Sequence, residues 1–276
     1  MEERTRPSIL SGSWYPRNPK DLTKTIQEYI RKAEKKAIPG RIIGMISPHA
    51  GYVYSGPVAA HGYKALKGRA YDTVVILGPQ HRMFGKRYVV TDAIHYETPL
   101  GKVPVRRDAL QHLSESVPLY QVSLDNEHSI EIQLPFLQTV LSSFDLVPVM
   151  IGHDDVFDVQ DIVQALYRFS RNGNVLIVAS SDMHHMNDYR DVREKDTEII
   201  HALETYQMDG ILEKLSEPRC SVCGKVAISV LLQVSRLLGA KVLKTLKYSN
   251  SGDITGDQSP GQYTVGYLSA VTTDVD

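Results

Sequence analysis

Arg41-Ile-Ile-Gly-Met-Ile-Ser-Pro-His49-Ala-Gly-Tyr52 is the stretch on which the reading of the fold turns. Its apolar run shows no polar alternation. That is the pattern of a strand buried on both faces, as parallel strands between helices are. The run stops at Ser47-Pro48, and a histidine stands just beyond it. The same arrangement recurs in Thr73-Val-Val-Ile-Leu-Gly-Pro-Gln-His81 and in Asn174-Val-Leu-Ile-Val-Ala-Ser-Ser-Asp-Met-His-His185. Ligands of open α/β sheets bind in the crevice beyond the carboxyl ends of the strands. Three histidine-bearing strand ends therefore predict a site there, and a metal site in particular.

Working outward, helical spacing alternates with these runs. Leu22, Ile26 and Ile30 mark a helix over residues 22–36 with Asp21 as its cap. Ser55 is the expected cap and Pro57 a first-turn residue for the next helix. A hairpin-like region spans 87–105. Helices are expected from Asp108 to Ser116, Ile132 to Leu141, Val156 to Phe169, Tyr189 to Thr205, Asp209 to Leu215 and Val222 to Leu238. Strands are expected at Asp145 to Ile151, Lys241 to Tyr248 and Gln262 to Thr272. The class is α/β, a single domain over 1–276 with a mostly parallel central sheet flanked by helices.

The 276 residues are 42% hydrophobic and 23% charged, with a formal net charge of -1. That balance supplies no global footprint for nucleic acid or an anionic membrane. No window approaches a membrane span, and the N-terminal Met-Glu-Glu-Arg-Thr-Arg lacks the apolar core of a signal peptide, so a cytoplasmic protein is expected. The 2 cysteines form one Cys220-x-x-Cys223 pair. In a reducing compartment such a pair points to metal or redox chemistry rather than to a structural bridge. No Walker or dinucleotide fingerprint and no Gly-x-Ser-x-Gly elbow is present.

Neutral imidazole suits iron, copper and zinc, and a thiolate adds preference for softer ions. His49 and His81 stand at equivalent strand ends, each behind a proline, and adjacent strands would bring them within reach of one ion. Of His184 and His185, one is expected in the cleft and the other in a structural role, with Asp182 orienting a histidine through its ring nitrogen. Glu127-His128-Ser129-Ile-Glu131 reads equally as a helix cap or as a catalytic His128. Cys223 opens a helix, where a thiol is activated toward metals or as a nucleophile. Trp14, with Tyr52 or Tyr54, offers a stacking wall for a small aromatic or peptide ligand. A thiol redox pair at Cys220 and Cys223 is a weaker third reading.

Gly12-Ser-Trp-Tyr-Pro16, Ser47-Pro-His-Ala-Gly-Tyr52, Tyr54-Ser-Gly-Pro57, Gly78-Pro-Gln-His81, Glu127-His-Ser-Ile-Glu131, Ser180-Ser-Asp-Met-His-His185 and Cys223-Gly224 together resemble the Memo protein family, in order from about Ser8 onward. Memo proteins resemble class III extradiol dioxygenases, so the resemblance implies a LigB-like fold and non-haem metal chemistry. It implies His49 and His81 as metal ligands, and Cys223 as the third where the dioxygenases place a carboxylate or histidine. It further implies His185 as acid/base, His128 as a second active-site histidine, and Trp14 and Asp182 as pocket residues. The implied cofactor is iron or copper, the thiolate shifting preference toward Cu(I) or zinc. Two functions follow: a metal-dependent oxidoreductase, or a non-enzymatic module binding a peptide or small molecule. Animal Memo proteins are associated with phosphotyrosine-receptor signalling and motility. Prokaryotic ones tend to be encoded near radical-SAM and AMMECR1-like proteins, which are the protein partners the resemblance implies.

Overall fold

The structure, a computed structural model, describes residues 4–275 apart from Met83. The chain begins with β1 (Thr5–Arg6), α1 (Pro19–Lys32), β2 (Ile42–Ser47), α2 (Tyr52–Leu66) and β3 (Thr73–Pro79). It continues through β4 (Tyr88–Thr91), β5 (His95–Thr98), β6 (Gly101–Pro104), α3 (Arg107–Ser114) and β7 (Leu119–Val122). A 3-10 turn at Glu131–Gln133 leads into α4 (Leu134–Val140), β8 (Asp145–Ile151), α5 (Gln160–Ser170) and β9 (Val175–Ser180). Then come β10 (His185–Met186), α6 (Tyr189–Thr205), α7 (Met208–Ser216), α8 (Lys225–Leu237), β11 (Val242–Asn250), α9 (Ser251–Thr255) and β12 (Thr264–Thr273).

The middle of the main sheet is parallel, in the order β2, β9, β3, β8. Its flanks bring in antiparallel pairings: β4 against β8, and β12 against β2, β10 and β11. β1, β5 and β6 make a separate small sheet. Every residue of β2 and β9 is buried, because helices cover both faces. Neighbouring side chains on a strand point to opposite faces. A Cβ at Gly44 would meet Ser235 and Leu231 of α8, whereas Met45, one residue on, lies against Gly62 of α2. α8 and α2 therefore pack on opposite faces. One hydrophobic cluster extends from Leu10 to Val271.

Strand register sets the site. Ser47 of β2 is level with Ser180 of β9, and Leu77 of β3 with Ala179. The residues that follow each strand thus emerge along one rim. His49 and His81 are not on adjacent strands as the sequence suggested, because β9 lies between β2 and β3. Two strand spacings amount to about 9–10 Å, which two imidazole side chains leaning toward each other can span.

Several local expectations shift. Asn18, not Asp21, caps α1, accepting from the N–H groups of Lys20 and Asp21; Pro19 then supplies the first helical residue. Ser55 lies inside α2, which begins at Tyr52, and its hydroxyl donates to the Ala50 carbonyl. α8 starts at Lys225, since Cys223 and Gly224 form the turn that precedes it. The expected 87–105 hairpin divides, with β4 joining the main sheet and β5–β6 the small one. Among the described residues no helix is long and apolar enough to cross a membrane.

Candidate functional site

His49, buried to 2% exposure, is held at three points. Its backbone N–H donates to Asp182 Oδ1 at 2.7 Å. Its Nδ1 lies 3.1 Å from Ser180 Oγ, and its Nε2 lies 3.1 Å from Cys223 Sγ. The tautomer follows from the neighbours. Ser180 Oγ spends its proton on the Ser129 carbonyl at 2.6 Å and accepts from Gln133 Nε2 at 2.7 Å. The Gln133 amide is itself oriented by the Tyr63 hydroxyl, which donates to its Oε1. Toward His49, Ser180 can only accept. Nδ1 therefore carries the proton and Nε2 presents a lone pair.

His81 reaches the same condition by another route. Its backbone N–H donates to Glu127 Oε2 at 2.7 Å, and its Nδ1 donates to Glu127 Oε1 at 3.0 Å. Oε1 also accepts from the N–H groups of His128 and Ser129, at 2.8 and 3.0 Å. Burial pushes the Glu127 carboxyl up, but the bonds from His81 and Ser129 outweigh it and hold the group at about 2. A fixed carboxylate on Nδ1 leaves His81 Nε2 free. This is the arrangement by which outer carboxylates orient metal-binding histidines.

Cys223 closes the set. Its Sγ accepts from the Asp182 N–H at 3.2 Å. Gly224 lets it come this close, because a Cβ there would lie 2.5 Å from Ser181 Cβ and 2.7 Å from the Ser180 carbonyl. Burial pushes the Cys223 thiol up; an ion at this point would favour the thiolate instead. One ligand atom each from His49, His81 and Cys223 lies within 4.8 Å of the others. Two imidazole nitrogens with oriented lone pairs and one sulfur fit a transition-metal ion of the iron, copper or zinc kind. A second such group, His81, Glu127 and His128, overlaps the first.

The other expected residues ring this trio. The His128 ring stacks on His81 with centroids 4.3 Å apart, and Trp14 covers it at 4.6 Å. Burial and then the charge of His81 lower His128 to about 4. His49 is pushed well below the usual histidine range by burial, then by His128, His81 and His185. His185 is lowered to about 4 by burial and by His81 and His184. Its Nδ1 lies 3.1 Å from the Tyr263 hydroxyl, and its Nε2 is buried with no hydrogen-bond partner among the described residues. The two histidines of the doublet have different partners: His184 bonds to Asp196, with Nδ1 2.8 Å from Oδ1.

Three readings need correction. Asp182 does not touch a histidine ring; it anchors the His49 backbone, while Ser180 takes the ring nitrogen. Burial raises Asp182 to about 7. The helix-cap reading of Glu127–Glu131 does not hold: Ile130 and Gln133 are the cap positions of the 3-10 turn and of α4, and neither makes a side-chain cap bond. Glu131 is fully buried and ties down the N-terminal lead-in through Arg6, Ser8, Tyr15 and the N–H groups of Ile9 and Leu10. Tyr52 is no pocket wall: it is 3% exposed and donates to the Ile132 carbonyl. Tyr54, 43% exposed, lines a groove of about 260 Å³ with Tyr263 and Tyr267.

Sequence reading missed Ser180, Gln133 and Tyr263 as working parts, and also His153. His153 borders a cavity of about 150 Å³ with His81 and Cys223. A larger cleft of about 520 Å³, between Leu100–Pro104 and Leu141–Asp145, contains no histidine or cysteine and lies at the other end of β8. The signal that could have found His153 is Gly152-His153 directly after a buried strand, the same pattern that marks His49 and His81.

The signature of the family described as Memo-like protein matches residues 6–271. A MEMO1 family protein of Methanosarcina barkeri is 38% identical over 273 residues, covering 96% of this chain and 99% of its own length. One from Thermotoga neapolitana is 35% identical over 280 residues, with 96% and 99% covered. One from Methanocaldococcus jannaschii is 34% identical over 287 residues, with 97% and 99% covered.

Proposed function

The chain belongs to the Memo-like family, and from that premise we propose a metal-dependent redox enzyme related to the class III extradiol dioxygenases. His49 Nε2, His81 Nε2 and Cys223 Sγ would hold iron or copper. What carries the reading is that Ser180 and Glu127 independently set both imidazoles to present Nε2, beside one sulfur. When bound, such an ion supplies one-electron chemistry and open positions for small ligands.

The protein's own groups do the rest. His185 and His128 are held neutral near pH 7 by burial, so each can take a proton from a substrate hydroxyl and return it. The buried, unpartnered Nε2 of His185 is the better placed of the two. Trp14 and His81 both pack against the His128 ring, and His81 itself stays partly exposed. Two unpaired cysteines suit a reducing compartment, which favours the cytoplasm.

The test is metal content by plasma mass spectrometry on untagged protein purified anaerobically, beside His49→Ala, His81→Ala and Cys223→Ser. Near-stoichiometric iron or copper, lost in all three, is expected, and oxygen uptake with catechols then follows. Full metal occupancy in the variants would sink the assignment.

A second reading has its own support: the exposed Tyr54 and Tyr263 flank a groove whose Tyr263 hydroxyl touches His185. A module binding a peptide or small aromatic ligand would use these faces. Here Tyr263→Ala abolishes binding while leaving metal content unchanged; unaltered binding in that variant removes this reading.

A further inference from the structure

Away from the histidine rim, the segment after α1, the second half of α2 and strand β11 border a cavity of about 210 Å³. Lys35, Lys36, Lys64, Lys67 and Arg69 line it, against one carboxylate, that of Glu34. The whole chain has 31 basic and 32 acidic residues, so this is a local concentration of positive charge. Among the described residues none of these lysines, nor Arg69, makes an ion pair.

Neutral partners hold several of these cations in place. The Lys64 ammonium donates to the Ala33 carbonyl, and that of Lys36 to the Thr245 carbonyl at 3.3 Å. Arg69 donates through Nε, Nη1 and Nη2 to the carbonyls of Ala65, Gly40 and Ile38, at 3.1, 2.6 and 2.8 Å. A carbonyl orients a cation without cancelling its charge, and both kinds of head keep donors to spare. Capping the C-terminal ends of α1 and α2 accounts for Lys64 and Arg69; it leaves Lys35, Lys36 and Lys67 on the same cavity without an acidic partner. Burial lowers His61, which also lines the cavity, and the charges of Lys247 and Lys36 lower it further. A cleft lined by one sign of charge concentrates ions of the other.

We infer that this cavity is a binding site for a small soluble anion bearing a phosphate or pyrophosphate group, held by Lys35, Lys36 and Lys67 together with the anchored heads of Lys64 and Arg69. Its volume falls below the about 300–1,000 Å³ of pockets for drug-sized ligands, which suits a compact phosphorylated metabolite. Among the described residues no exposed large hydrophobic side chain borders it. The apolar anchor that accompanies basic groups at a lipid surface is therefore missing. The site shares no residue with His49, His81 and Cys223 and does not depend on a metal there.

The experiment is titration of the intact chain with inorganic pyrophosphate at low ionic strength, followed by calorimetry and by the ring resonances of His61. Saturable binding that moves those resonances is expected, weakening as salt is added. Lys35 and Lys67 are exposed and their side chains make no hydrogen bond among the described residues, so reversing them leaves the fold intact. In the Lys35→Glu, Lys67→Glu double variant affinity is expected to fall by about tenfold or more, since two attractions become repulsions. The same change at Lys20 and Lys24, exposed on α1 and outside the cavity, is expected to leave affinity nearly unchanged. The metal content of the Lys35, Lys67 variant is expected to match wild type, which separates this test from that of the metal centre. Absence of saturable binding, or equal losses in the two double variants, overturns the inference. Binding to phosphatidylcholine vesicles carrying phosphatidic acid, with none to pyrophosphate, overturns it as well and assigns the patch to a lipid surface.

Discussion

Ser180 Oγ lies 3.1 Å from His49 Nδ1 and cannot donate to it, because its proton is spent on the Ser129 carbonyl. One hydroxyl thereby decides which nitrogen of a buried histidine is free to bind. Ser180→Ala should leave the ring free to adopt either tautomer and take the hydroxyl donor from the Ser129 carbonyl, while Gln133 Nε2 keeps the Pro48 carbonyl. Metal affinity is expected to fall about 10–100-fold, and the metal-free protein to lose about 1–3 kcal/mol. Chelator competition and urea unfolding measure the two effects; unchanged affinity would show that Ser180 does not set the tautomer.

Glu127 does the corresponding work for His81 while also receiving the N–H groups of His128 and Ser129. Glu127→Gln turns one acceptor into a donor against these groups and should cost about 2–3 kcal/mol at pH 7. The sign with pH follows from a folded value of about 2 against an ordinary 4.5. A depressed carboxyl stabilises above its unfolded value, and the contribution fades as pH falls toward 2. The Tm gap between wild type and variant should therefore narrow from pH 5 to pH 3. A constant gap would contradict the assignment.

Asp182 works in the opposite direction, since burial raises it from 3.8 to about 7. A raised group contributes stability that is present below its unfolded value and lost as pH climbs through the folded one. Asp182→Asn keeps an acceptor for the His49 N–H but carries no charge to bury. In metal-free protein the variant should gain on wild type in Tm as pH rises from 4 to 8. Scanning calorimetry across that range decides it, and a variant that falls relative to wild type as pH rises would refute the burial argument.

Gly224 has φ -100°, which any residue adopts, so the demand for glycine is steric. Gly224→Ala would press its Cβ on Ser181 and the Ser180 carbonyl. About 1–3 kcal/mol of stability should be lost, and Cys223 should be moved off His49. Loss of stoichiometric metal with retained circular dichroism is the expected outcome. Full metal retention would mean the loop has slack that the packing denies.

Much of this is legible in the amino-acid sequence. The buried runs ending at Ser47, Pro79 and Ser180 announce parallel strands, and a histidine after each announces where the site lies, because a fully buried strand must deliver its first polar residues at its end. The division between His184 and His185 is legible for a related reason, since consecutive residues rarely point the same way. The partners are not. Ser180 is one serine among several, and Glu131, which reads as part of a helix cap, binds Arg6 from a two-residue strand 125 positions away.

By itself, the sequence determined the strand ends, the side chains delivered just beyond them and the family, since burial pattern and residue chemistry are local properties. Tertiary structure decided that β9 separates β2 from β3, that Ser180 and Glu127 rather than Asp182 hold the two rings, and that Cys223 meets His49. Those outcomes depend on strand order and register, which are set by packing helices on both faces of a sheet, and on hydrogen bonds between residues 46 to 174 positions apart.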